Sequence, residues 1–561
     1  MKSLTTLHAG LDVFLALIVL LLVFALLFWF AKWAWWPSRK LPGNRLRHQR
    51  IRLHLRLHPG RGHATVIELF WHWSRFASWR LSSKTRPSLP AWQRWRDSYS
   101  HSVFMGRAQY RHGARVPVEE HILVLSPPRK GKTAWLARGM MRYPGPVVCT
   151  SVKDDLFTLT SGIRAAGGPV HMFNPEGYGG WPSTLAWNPV AGCESKQVAF
   201  RRAEALTHAV SVQGTDDGSF WQAKASQMFV ALFHAAALLG GDLRMVARWV
   251  FADDTQAREV LTRHGAHQMA ASLLELHNAP AEKTASVFRM VMTNALSFMG
   301  DPELAQCVLP QVGTGFDIAE FIASRGTLYL IATGDEEQSP LAPLFATLVN
   351  EIKYQAVLMA QASPGKRLDP PLGLFLDEVT QIAPVPLHKW LASVGGMGIQ
   401  IIPVVHGEAQ LRERWGDNGA QVIMDTCGAK MFFPGITDTA TLDMAAKVCG
   451  QVSLKQKGLN GEDYYSQFDI IDPAMARELP KWRALLIRGG LSPVIVKCPL
   501  AWRAPEYRAV RRRHQTIAAL VPAAAYRSIT DAIPAGALPP EPVLEPAGAP
   551  GDGGDYPWST G

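Results

Sequence analysis

The stretch Ile122-Leu-Val-Leu-Ser-Pro-Pro-Arg-Lys-Gly-Lys-Thr133 limits the fold of this chain more than any other. Ile122 to Leu125 read as a short buried strand, and Thr133 opens a run, Ala134 to Ala137, that continues as a helix. A strand, a tight turn and a helix N-terminus bring successive backbone N–H groups around an anion, and the helix dipole adds to the attraction. The pattern is that of a phosphate-binding loop with Ser126 at the first glycine. Gly131 lets the backbone approach the phosphates, Lys132 reaches the β and γ oxygens, and Thr133 offers a hydroxyl to Mg²⁺, with Arg129 and Lys130 completing the nucleotide-binding set. Serine is small and tolerates turns, so it replaces the first glycine at modest cost, and Pro127 and Pro128 stiffen the same turn. The competing reading is a basic surface loop that matches by chance.

A second chemical signature lies far downstream. Gly373-Leu-Phe-Leu-Asp-Glu378 is an apolar strand ending in adjacent carboxylates, as in a Walker B element. Asp377 is expected to hold the Mg²⁺ shell and Glu378 to orient and polarise an attacking water. An Asp-Glu pair at a strand end says little alone; together with Gly131-Lys132-Thr133 it points to ATP chemistry. A further strand, Ile399 to Val405, ends at His406. That histidine is a candidate sensor of the γ-phosphate, or it merely caps the strand.

From Val13 to Ala31 run 19 uncharged, mostly apolar residues, enough for a helix to cross a bilayer. Trp33, Trp35 and Trp36 follow at interfacial depth, and no small-residue cleavage pattern marks a signal peptide. Lys2 stands almost alone before the run, whereas Lys32, Arg39, Lys40, Arg45, Arg47 and Arg50 come straight after it, which predicts a short outside N-terminus and a cytoplasmic body. The net charge of +12 is concentrated here: between Lys32 and Glu120 there are 18 Lys/Arg against 4 Asp/Glu. Arg47, Arg50, Arg52 and Arg56 are the candidates for DNA phosphate contacts in this collar, and anionic lipid would attract the same charges. The segment Ile67 to Arg80 resembles a basic, aromatic helix that either lies on a membrane surface or packs on the body. His48, His54, His58, His63 and His72 form no ligand pair with metal-site spacing. Six scattered cysteines without a C-x-x-C pair fit reduced thiols.

The body alternates apolar strands with helical runs, which predicts an α/β fold with a mostly parallel sheet. Candidate strands are Ile122 to Leu125, Val147 to Thr150, Val170 to Phe173, Leu328 to Thr333, Leu374 to Leu376, Ile399 to Val405 and Lys430 to Phe433. From about Glu194 to Ile322 strand signals vanish in favour of amphipathic stretches such as Phe220 to His234. The expected organisation is an extracytoplasmic N-terminus at 1–12, a transmembrane helix at 13–36 and a basic juxtamembrane segment at 37–118. A nucleotide-binding domain follows at 119–193 and 323–505, interrupted by an all-α insertion at 194–322. The tail at 506–561, rich in Pro, Gly and Ala, is expected to be disordered from about 531.

The succession of the apolar N-terminal run, Ser126 to Thr133, Thr150-Ser-Val-Lys-Asp-Asp-Leu156, Phe173-Asn-Pro175, Phe220-Trp221, Leu374 to Glu378, Val404-Val-His-Gly-Glu-Ala-Gln-Leu411 and Asp425 to Phe433 resembles the TraG/TraD-type coupling proteins of type IV secretion and conjugation. The resemblance covers roughly residues 100 to 500. It implies a membrane-anchored RecA-like motor interrupted by an all-α domain, assembled as a homo-hexamer at the inner membrane. Such a motor brings relaxase-bound DNA, single-stranded in this reading, to the secretion channel and drives transfer with ATP. By position, Lys132 and Thr133 match the nucleotide loop, Asp377 and Glu378 match Walker B, and His406 stands where the family commonly has glutamine. Two alternatives remain at this stage: a double-stranded DNA translocase without a secretion channel, and a non-catalytic membrane receptor for secretion substrates. Arg412, Arg414 and Lys430 follow the sensor strand and are candidates for contact with a neighbour's nucleotide.

Overall fold

The computed structural model describes residues 19–26, 61–211, 218–252, 255–277, 282–309, 315–334, 339–457 and 462–512. The chain divides into two compact units, Met1–Arg61 and Gly62–Gly561. In the first, residues 19–26 are helical with exposed side chains. The rest of the predicted span, the alternating stretch Arg50 to His58 and the four collar arginines Arg47, Arg50, Arg52 and Arg56 lie outside the described residues, as does the tail beyond 512. Among the described residues no helix is long and apolar enough to cross a membrane.

Among its described residues the second unit has thirteen strands: β1 (Ser102–Arg107), β2 (Gly113–Pro117), β3 (Ile122–Leu125), β4 (Val147–Ser151), β5 (Val170–Phe173), β6 (Thr327–Ile331), β7 (Leu372–Leu376), β8 (Ile399–Val405), β9 (Ala429–Phe432), β10 (Gln451–Lys457), β11 (Asp463–Asp469), β12 (Arg483–Arg488) and β13 (Val494–Lys497). Eleven form one sheet in the order β2-β1-β13-β12-β9-β3-β8-β7-β4-β6-β5. The seven strands from β9 to β5 are parallel. Every residue of β3, β4, β6, β7 and β8 is buried, which is why these segments read as continuous apolar runs rather than as alternations.

The remaining four strands pair antiparallel at one end of the sheet. β1 and β2 precede residue 119, where the nucleotide-binding domain was expected to begin, and still belong to its sheet through β13. Their burial comes from distant partners: Trp135 on the helix after the loop donates its indole N–H to the Met105 carbonyl at 3.2 Å. β12 and β13 were not foreseen either. Arg483-Ala-Leu-Leu-Ile-Arg488 carries only four apolar residues between charges, and its pairing with β9 buries them. β10 and β11 form a separate hairpin with a largely exposed second strand.

Between β5 and β6 the described residues contain helices and no strand. The long helices Lys196–His208 and Gly218–Leu238 pack together. The first of them is tied to the α/β body by Arg201, whose guanidinium contacts both oxygens of buried Glu351 on helix Ala342–Ala362 at 3.0 and 3.1 Å. Ahead of the sheet, the expected continuous helix over 67–80 is broken. Ser74 is extended (φ −77°, ψ 173°), and its hydroxyl caps the N–H groups of Phe76 and Ala77 to start the helix Arg75–Thr85.

Candidate nucleotide site

The loop residues lie where β3 leaves the sheet at its C-terminal edge. β8 runs between β3 and β7, so the nucleotide loop, His406 and the Asp377-Glu378 pair emerge side by side from three parallel strands. Ser126 is fully buried, and its N–H donates to the Val405 carbonyl at 2.9 Å. Its hydroxyl turns to its own chain, donating to the Pro127 carbonyl at 3.1 Å. A glycine there would lose one local hydrogen bond.

Gly131 is the N-cap of helix Lys132–Met141 and sits at φ +100°, a conformation that disfavours any side chain. A Cβ there would also stand 2.6 Å from the Trp482 ring. Trp482 is therefore a wall of the loop, held edge-on to Trp502 with ring centroids 5.6 Å apart. Sequence reading missed it, because 351 residues separate it from Gly131 and no motif marks it. Arg129 is exposed and also at positive φ, +62°. Lys130 is exposed and lies against Gly435, where a Cβ would meet its Cε at 2.5 Å and its Nζ at 2.8 Å. Thr133 is half-buried in the first helical turn.

Lys132 is buried, and its ammonium is hydrogen-bonded to Glu378 and stands 3.2 Å from Asp377 Oδ1. Burial works against this ammonium, but the two carboxylates outweigh it and hold the lysine above its ordinary pKa. Burial, with the Glu378 charge adding to it, lifts the Asp377 carboxyl above the usual range despite Lys132. Two carboxylates thus share one lysine in a buried site. Asp377 Oδ1 and Glu378 Oε2 are buried without a well-aligned hydrogen bond, their nearest donors being Lys132 at 3.2 Å and His406 at 3.3 Å. This donor set, oxygen-rich and short of positive charge, fits a hard divalent cation such as Mg²⁺.

Glu378 adopts a left-handed conformation (φ 48°, ψ 48°), which turns the chain sharply after β7. Its neighbour Asp377 is fixed through the backbone, where the Asp377 carbonyl accepts a 2.7 Å hydrogen bond from Thr150 at the end of β4. His406 bridges the two halves. Its Nδ1 is 3.0 Å from the Ser126 carbonyl, its Nε2 is 3.3 Å from Glu378 Oε2, and its N–H donates to Gln410 at 2.8 Å. The candidates for a neighbour's nucleotide are engaged within the chain. Arg414 donates to the carbonyls of His208 and Ala209 at 2.8 and 2.7 Å, Lys430 to that of Cys427 at 2.9 Å, and Arg412 pairs with Glu408 at 2.7 Å.

Comparison with solved structures matches this architecture to the conjugative coupling protein TrwB. The unbound form of TrwBΔN70 superposes with a TM-score of 0.55 and 17% identity, covering 77% of this chain and 94% of that one. TrwB with the GTP analogue GDPNP gives 0.54 and 18% (70% and 90%), and TrwB with ADP and Mg²⁺ gives 0.51 and 17% (70% and 89%). Among curated proteins, the Protein VirD4 of Rhizobium radiobacter is 20% identical over 366 residues, and that of Agrobacterium fabrum (strain C58 / ATCC 33970) is 22% identical over the same length. Each alignment takes in 63% of this chain, and the chain spans about half the length of these relatives, 51% and 52%. Residues 81–467, more than half of the chain and inclusive of the nucleotide loop, Asp377, Glu378 and His406, match the family described as Type IV secretory system Conjugative DNA transfer. With its RecA-like α/β sheet and this match, the chain belongs to the family of conjugative DNA transfer proteins of type IV secretion.

Proposed function

We propose that this chain is the ATPase that couples a relaxase-bound DNA strand to a type IV secretion channel and drives its transfer. The observation that carries the reading is the buried Lys132-Asp377-Glu378 cluster beside the nucleotide loop, with His406 joining the two. Lys132 leaves its carboxylate partners for the β and γ phosphates of ATP when the nucleotide enters. Asp377 and Thr133 would hold Mg²⁺, which would neutralise charge on the phosphate oxygens. Glu378, released from Lys132, orients a water and accepts its proton as the water oxygen bonds to the γ-phosphorus and ADP departs. His406 links Glu378 to the loop and so reports whether the γ-phosphate is in place.

The body works as a homo-hexamer on the cytoplasmic side of the inner membrane, anchored by residues 13–36, with the all-α insertion at 194–322 interrupting the RecA-like domain. Arg47, Arg50, Arg52 and Arg56 add phosphate contacts near the membrane. Hydrolysis by the full chain in detergent, measured with and without single-stranded and double-stranded DNA, tests the reading. Stimulation by single strands supports it. Stimulation by duplex alone moves the chain to the class of double-stranded DNA translocases. Absence of nucleotide binding makes it a receptor.

A further inference from the structure

The first described elements of the second unit leave an exposed aromatic surface that the nucleotide site does not use. Leu69 and Trp73 are fully buried, so one side of the segment 66–85 is packed on the body. The other side is open. Ile67 is 72% exposed, Val66, Phe70 and Trp71 are exposed near it in sequence, and Leu81 is exposed on the following helix. The rings form a continuous chain: Phe70 stacks on Phe76 at 5.4 Å, Trp71 meets Phe76 at 5.6 Å, Phe76 meets Trp79 at 6.1 Å and Trp79 meets Trp95 at 5.4 Å. Arginines lie on this chain. Arg75 covers Trp95 at 5.3 Å and Arg80 covers Trp71 at 5.6 Å, and both are exposed, as is Lys84. From 61 to 100 there are seven Lys/Arg against Glu68 and Asp97; Arg86 is buried and paired with Asp369, so six of the seven add to the charge of this region. Glu68 accepts the Ser492 N–H and Asp97 accepts the Tyr99 N–H, so both acids are engaged locally.

We propose that this aromatic, arginine-bearing surface is an interfacial foot that seats the body in the headgroup layer of an anionic bilayer. Trp and Arg side chains suit that layer, because each combines an apolar body with a polar or charged end. Exposed aliphatic Val66, Ile67 and Leu81 suit acyl chains and have no use in stacking on bases. The ring faces argue the same way: Phe70 and Phe76 stack on each other and two Trp faces are covered by arginine, whereas single-stranded DNA needs open faces. The excess of arginine and lysine complements phosphatidylglycerol. The surface also begins 35 residues beyond the apolar run Val13 to Ala31, a stretch long enough for it to reach the bilayer that the run would enter. The inference rests on the anchor reading for this last argument alone.

The test uses the full chain with Ile67→Cys labelled by an environment-sensitive fluorophore; the native cysteines are all buried. The protein is reconstituted in vesicles of phosphatidylcholine and phosphatidylglycerol, and a Tyr465→Cys label on the exposed hairpin serves as the solvent reference. The expected result is a blue-shifted label at 67, quenched by shallow doxyl-lipid and shielded several-fold from aqueous iodide relative to 465. Vesicles of phosphatidylcholine alone, or the combined Arg75→Gln, Arg80→Gln and Lys84→Gln variant, return the label to iodide. Iodide quenching at 67 equal to that at 465 in the anionic vesicles overturns the proposal. Shielding that appears without lipid and grows with protein concentration assigns the surface to a second copy, and shielding that appears only with single-stranded oligonucleotide assigns it to DNA; either outcome overturns it. Alkaline carbonate extraction reads the anchor separately: a chain that is extracted yet is lipid-quenched at 67 in the vesicles keeps the foot and loses the anchor.

Discussion

His406 Nε2 lies 3.3 Å from Glu378 Oε2, while its other ring nitrogen faces the Ser126 carbonyl at 3.0 Å. Both nitrogens point at acceptors, so a ring carrying one proton serves only one of them. A glutamine carries its donors on one end only. His406→Gln is therefore expected to keep one of the two links and retain hydrolysis within roughly tenfold, a difference of about 1.4 kcal/mol. His406→Ala removes both links and is expected to lower kcat more than KM. Steady-state ATPase kinetics of the two variants check the order.

Lys132 and Glu378 should separate binding from chemistry. Lys132→Ala removes the cation that reaches the phosphates and leaves Asp377 and Glu378 buried together without their lysine, so nucleotide binding and hydrolysis fall together. Glu378→Gln keeps the shape of the site and Asp377 but loses the base, so ATP still binds while kcat falls by roughly 10² to 10⁴-fold. Equilibrium binding of a fluorescent ATP analogue beside turnover measurement decides. Normal binding by Lys132→Ala would falsify its assigned role.

The two ends of the loop should respond differently to small changes. Ser126→Gly gives up one hydrogen bond to the Pro127 carbonyl, and activity is expected to stay near that of the native chain. Gly131→Ala forces a side chain onto φ +100° and into the Trp482 ring, and is expected to destabilise the loop by about 1 to 3 kcal/mol. Trp482→Ala in the Gly131→Ala background should recover part of that loss, since it removes the clash and leaves the backbone strain. Thermal denaturation of the single and double variants measures both terms.

Acid should loosen the strand that carries the loop. His121, just before β3, accepts the Ile401 N–H at 3.0 Å, and burial lowers its pKa to about 4 from 6.5. Between those values the unfolded chain takes up a proton that the folded chain refuses, so stability falls as pH drops through the window. The full shift corresponds to about 3 kcal/mol. His121→Asn keeps an acceptor for Ile401 and lacks the titration, so its stability curve between pH 7 and pH 4 should be flatter. Denaturant unfolding across that range provides the check.

Replacing Arg47, Arg50, Arg52 and Arg56 by Gln should weaken DNA binding and lower the slope of log K against log salt by up to roughly 3 to 4, one phosphate contact per residue. An unchanged slope would assign these charges to lipid.

The strand, loop and helix from Ile122 to Ala137 were legible in the sequence because each is decided by neighbours along the chain: an unbroken apolar run, a turn that needs Gly131, and a helix whose buried side repeats locally. The strand ending in Asp377-Glu378 was legible for the same reason, and so was the change to helices from about Glu194. The alternation of these segments was sufficient for an α/β fold with a parallel centre. The rest depended on contacts that no local pattern encodes. β1, β2, β12 and β13 are short, and they are strands because each finds a distant partner. The charge balance of the site is equally nonlocal: Lys132 meets Glu378 only because β8 spaces β3 from β7 by a single strand. The same closure of the sheet sets Trp482 against Gly131 and turns Arg414 inward to two helix-end carbonyls. Local physics chose the elements, and burial of their faces against one another chose which side chains share the site.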